Sequence, residues 1–215
     1  MYNIFNLKVL LMQKIIGICS GLFVLTSVIP YLVGVIRGTI EPNLTSWFLW
    51  SFISFALLVT YKSNGADNNI WPVFFGFTNP VLVTIAMLWK GKFKKPKTLE
   101  YVCGGISMTA LILWWFVRDE KETFLAELAL CLSIVADLCA FIPTMRYVRR
   151  NPEKDLPLAW TLFAIGYALA LGALPVITFA SVVLPVYMAI ASSLVALPLI
   201  AYRIKNKIPI NKWIW

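Results

Sequence analysis

The chain has 215 residues, of which 60% are hydrophobic and 13% charged, with a formal net charge of +9 and a mean hydropathy of +0.80. A soluble domain carries roughly a quarter charged residues, so this composition excludes an ordinary soluble fold and predicts an all-α integral membrane protein. The absence of histidine excludes His-based catalysis and His–metal sites, and no paired carboxylates or nucleophile–base set marks an enzyme.

A bilayer core needs about 20 apolar residues per helix. Seven blocks meet that length, at about 15–36, 44–61, 70–89, 99–117, 123–147, 157–178 and 182–203. Together they leave no room for a soluble domain, so residues 1–215 form a single membrane domain. The first block follows Lys8 and Lys14 but is too long for a signal-peptide core, and it is read as the first helix. Cys19, Cys103, Cys131 and Cys139 all fall inside apolar blocks at no metal-like spacing, so they are read as small core residues.

With seven spans, one side carries five basic residues, Lys8, Lys14, Lys62, Arg118 and Lys121. The other carries fourteen, from Arg37, from the cluster between Lys90 and Lys97, from Arg146 to Lys154, and from Arg203 to Lys212. The positive-inside rule puts the C-terminus in the cytoplasm and the N-terminus outside. The basic charge is thereby assigned to topology and to contact with anionic lipid headgroups, and no nucleic-acid partner is expected. Arg37 and Arg150 are read as snorkelling charges, and Trp89, Trp213 and Trp215 suit an interfacial aromatic belt. Short loops suit a bacterial cytoplasmic membrane.

The first three helices align with the last three at one offset of 113 residues. Ile29-Pro30 falls on Ile142-Pro143, Arg37 on Arg150, Trp47 on Trp160, and Pro72-Val73 on Pro185-Val186. Two tandem three-helix units point in opposite directions unless one further helix separates them. The fourth block supplies that inversion. The prediction is therefore a 3-1-3 arrangement of parallel repeats, the first at about 15–92, the linker helix at about 99–117 and the second at about 123–205.

Pro30 near the end of the first helix, a short basic loop, and Ser46-Trp47 at the start of the second form a recognisable pattern. It resembles the PQ-loop/SWEET-like superfamily of seven-helix membrane proteins, and the resemblance covers nearly the whole chain. It implies the 3-1-3 fold and transport of a small polar solute, with no cofactor. Trp47-x-x-Trp50 is similar to an aromatic motif of nicotinamide riboside-type vitamin carriers. The sequence departs from the superfamily where Tyr31 and Thr144 replace its motif glutamine, and where Leu44 stands opposite Pro157. A sugar substrate therefore does not follow.

Asp137 is the acidic residue nearest the middle of a span, where a carboxylate must face the bundle interior. It shares a helix face with Ser133 and Thr144, and the matching face of the first helix carries Ser20, Ser27 and Tyr31. Asp137 is expected either to carry a proton or contact the solute, or to fix packing by a hydrogen bond. Asn79, beside Pro80, and its repeat mate Ser192 are implied substrate-binding positions by the resemblance. The alternative for Asn79 is a hydrogen bond across helices. Pro30 and Pro143 are paired hinge candidates, or static kinks. Trp47, Trp50 and Trp160 serve as interfacial anchors or stack on the solute, and Trp50 is carried as a substrate-binding candidate.

The expected function is a facilitator or proton-coupled carrier of a small polar solute, working by alternating access. The alternatives are a seven-helix receptor or cargo-binding protein, and a vitamin carrier of the nicotinamide riboside type. A homo-oligomer is compatible with either.

Overall fold

A computed structural model describes residues 4–38, 44–89, 95–118, 124–210 and 213. Lys90, Lys92, Lys94, Lys121, Lys212, Trp215 and the charged stretch 119–122 lie outside these. The described residues form seven α-helices: α1 (Ile4–Arg37), α2 (Leu44–Ser63), α3 (Trp71–Leu88), α4 (Thr98–Val117), α5 (Phe124–Arg150), α6 (Pro157–Ala170) and α7 (Phe179–Lys205). Three single-turn 3-10 helices accompany them, and no strand occurs among the described residues. Six helices are long and apolar enough to cross a membrane. They are consistent with an integral membrane protein. The other, α6, reaches only 17 residues when extended by its 3-10 turn to Ala173. The expected span to 178 stops early because Gly172 and Pro175 interrupt it.

The helix starting at Ile4 begins eleven residues before the predicted first block, which opened at 15. At 1.5 Å per residue α1 is about 51 Å long, well beyond the roughly 30 Å hydrocarbon core. Lys8 and Lys14 lower the hydropathy without breaking the helix, because lysine is a good helix former. Hydropathy thus located an apolar core and not the helix end.

Helix ends follow local chemistry. After α2, Gly65 takes φ +84, while its N–H donates to Lys62 O at 3.1 Å and the Ala66 N–H to Tyr61 O at 3.4 Å. After α7, Lys207 at φ 51 and Ile208 repeat the pattern, with bonds to Ile204 O and Arg203 O. Both are Schellman caps, which occupy carbonyls the helix leaves unpaired. Thr178 and Ser181 exchange side-chain and backbone bonds at the start of α7.

Six helices close into a ring. α1 packs on α3 and α6, α3 on α2, α2 on α5, α5 on α7, and α7 on α6; α4 stands outside against α2 and α5. Close approach of α1 and α6 depends on Gly166, where a Cβ would come within 2.6 Å of Val24 Cγ2 and 2.8 Å of the Ser20 carbonyl. Small residues do the same at many membrane helix crossings. The outer surface is apolar, with Ile36, Phe48, Ile85, Ile112, Phe116 and Leu197 all exposed. Such a surface suits lipid and not water. The interior, by contrast, holds Ser20, Asn69, Asn79, Ser133 and Asp137, all buried. These polar groups sit beside a largely apolar core that includes Val24, Ile53, Leu57 and Leu184.

Candidate functional site

A cavity lies inside the ring, lined by side chains from α1, α2, α3, α5, α6 and α7 and by none from α4. Its free volume is about 80 Å³ counted at the centres of water-sized spheres. One water needs about 10–15 Å³ on that measure, so the space holds on the order of six waters or one small solute.

The end where α1, α5 and α7 finish carries Arg37, Arg149, Arg150, Arg203 and Lys205 and is the basic end. There the cavity wall is aromatic. Tyr31 meets Trp47 edge-on with centroids 5.2 Å apart, Trp47 meets Trp50 at 5.3 Å, and Phe141 meets Trp160 at 5.7 Å. Trp50 lies 5.9 Å from Phe141 and 6.4 Å from Trp160, which closes the group. These are favourable edge-to-face and tilted geometries. Trp47, Trp50 and Trp160 thus all stand round the cavity. The reason is ring closure: the first turns of α2 and α6 face each other across the interior. The Trp50 Nε1 is buried and has no hydrogen-bond partner among the described residues.

Asp155, ahead of α6, organises this end. One carboxylate oxygen accepts from Tyr31 Oη at 2.5 Å, from the Leu156 N–H at 2.7 Å and from Trp160 Nε1 at 3.2 Å. The Asp155 carbonyl accepts from Arg203 Nη2 at 3.1 Å. Burial pushes the carboxyl above its ordinary value of 3.8, while these bonds and the Arg203 charge pull the other way. Sequence reading missed Asp155, which falls in a basic loop. Its signal was an acid just before a helix whose first residue is Pro157, where a carboxylate satisfies free N–H groups.

Midway along the cavity stand Asp137, Asn79 and Ser27. Asp137 is 4% exposed and accepts from Tyr187 Oη at 2.8 Å. No other bond or ion pair involves its carboxylate among the described residues. Asn79 Nδ2 donates to Val24 O at 2.7 Å and to Ser27 Oγ at 3.1 Å, which ties α3 to α1. Its Oδ1 is buried without a partner among the described residues. The cross-helix bond anticipated for Asn79 is thus present, and the same side chain also lines the cavity.

Ser192 departs from the pattern. It is fully buried, its Oγ has no partner among the described residues, and it does not line the cavity. It sits one turn beyond Met188, which is the α7 residue that reaches the cavity. The polar face of α5 divides likewise: Asp137 reaches the cavity, whereas Ser133 turns back to Ala129 O and receives Thr60. Pro30 is buried and Pro143 exposed, both within unbroken helices.

Away from the basic end, Tyr61 is fully buried, accepts from Asn69 Nδ2 and donates to Ser181 O at 2.8 Å. Asn64 adds a bond to Ala126 O at 2.9 Å. These bonds join α2 to α5 and α7 beyond the cavity. Compared with protein-family models, curated proteins and solved structures, the chain matches none.

Proposed function

We propose that this chain is a membrane carrier for a small polar solute, of the PQ-loop/SWEET-like kind, with the cavity as its central binding site. The observation that carries the reading is a cavity walled by all six ring helices, holding a midspan carboxylate without a basic partner among the described residues. Carriers built from repeats bind at the interface of their halves, near the bilayer midplane.

The halves are α1–α3 and α5–α7, joined by α4 as the inversion helix. Two features support this. The ring of packing maps onto itself when α1, α2 and α3 are exchanged for α5, α6 and α7: α1 with α6 becomes α5 with α2, and α1 with α3 becomes α5 with α7. In addition, Val28 and Phe141, Trp47 and Trp160, Trp50 and Phe163, and Ser54 and Tyr167 all line the cavity as pairs 113 residues apart. In this reading α6 with its 3-10 extension is the seventh span, the basic end is cytoplasmic, and the N-terminus is outside. The membrane is a bacterial cytoplasmic one. Pro30 and Pro143 serve as hinges, and Asp137 is the group whose charge changes during transport.

The test is flux. Purified protein in liposomes is loaded with a mixture of sugars, amino acids, nucleosides and amines, and retention of each is followed by mass spectrometry. Specific, saturable loss of one class supports a carrier. Binding of a ligand with no flux of any solute overturns the reading in favour of a receptor.

A further inference from the structure

Resting on the carrier reading, the structure assigns the cavity a substrate class: we infer that it takes a small organic monocation of the methylated-ammonium type. The argument is chemical. The wall contains seven aromatic rings, and five of them, Tyr31, Trp47, Trp50, Phe141 and Trp160, cluster at one end within 6.4 Å of their neighbours. Ring faces carry negative potential and attract a cation that has weak hydration to lose. A methylated ammonium meets that condition, since its charge is spread over methyl groups that also suit the apolar part of the wall.

The charge balance points the same way. Among the described residues Asp137 is the one carboxyl in the cavity wall, and no lysine or arginine lines it. This buried carboxyl is held by a single hydroxyl and has no cationic partner among the described residues. A bound monocation supplies that partner. A neutral polyol would leave it unmatched, and an anion would be repelled. The unpaired Asn79 Oδ1 adds a second acceptor on the wall. The cavity's size limits the ligand to a compact ion.

The experiment compares choline, tetramethylammonium and 3,3-dimethylbutanol, the neutral carbon analogue of choline, by calorimetric titration of the full-length protein in detergent. The ammonium ions are expected to bind at least tenfold more tightly than the neutral analogue. Asp137→Asn should lower choline affinity at least tenfold without lowering Tm, and Trp50→Leu should lower it independently. Equal binding of the neutral analogue overturns the inference, as does choline binding that survives in a folded Asp137→Asn protein. Saturable liposome flux of a neutral solute without choline binding also overturns the cation class, yet leaves the carrier reading intact. Absence of choline binding together with absence of any flux overturns both.

Discussion

The bond between Tyr31 and Asp155 joins α1 to the segment ahead of α6 and closes the aromatic end of the cavity. Replacing Tyr31 with Phe removes one hydroxyl and little volume. A hydrogen bond to a charged group contributes about 1.5–3 kcal/mol. Asp155 keeps the Leu156 N–H and Trp160 Nε1 on the same oxygen, so the loss should fall at or just below the lower end, about 1–2 kcal/mol. Single substitutions mix this term with desolvation, so the measurement is a double-mutant cycle of Tyr31→Phe and Asp155→Asn. Reversible unfolding in mixed micelles, followed by tryptophan fluorescence, gives the four free energies. The expected coupling is about 1–2 kcal/mol. A coupling below about 0.3 kcal/mol would mean that the bond does not hold the two elements together, and the closure argument fails.

Three other outcomes are expected. Gly166→Ala should destabilise by about 1–3 kcal/mol because its Cβ meets Val24 and the Ser20 carbonyl, whereas Gly105→Ala, with open space around it, should be neutral or slightly stabilising; equal melting temperatures for the two would refute the packing claim. Asp155 is more basic in the folded chain than in the unfolded one, so its ionisation opposes folding. Stability should therefore decline as pH rises from its ordinary value of 3.8 through the raised folded value, then level off, and Asp155→Asn should remove that component. Unfolding titrations of both proteins between pH 4 and 8, superimposing in shape, would contradict this. Lys207→Gly should stabilise by about 1 kcal/mol, since a left-handed residue closes the α7 cap, and a loss of stability would count against it.

Much of the fold was legible because lipid imposes a simple code. Apolar blocks of bilayer length gave the helices within a few residues, as with α2 and α4. α1 and α6 were misjudged for opposite reasons. Lysines disguised the continuation of α1, and apolar residues after Gly172 disguised the end of α6. At the site, Asp137 and Asn79 were readable as polar groups in apolar surroundings, and both line the cavity. The aromatic cluster was not readable, because tryptophans at helix starts look alike whether they face headgroups or one another. Asp155 was invisible for a related reason. Its importance comes from Tyr31, which is 124 residues away in sequence. Ser192 was carried over from the resemblance as the counterpart of Asn79, and it does not line the cavity.

The central claim is that the cavity opens in turn to both sides of the membrane. The most direct measurement replaces Ser54, on the cavity wall, with cysteine in a background whose four native cysteines are changed to alanine or serine. An impermeant thiol reagent is then applied separately to each face of sealed vesicles of known orientation. Labelling from both faces, with occupancy of the site by a transported solute slowing both, is the predicted result. Labelling from one face only, unchanged by any solute, would contradict alternating access and leave a one-sided binding pocket.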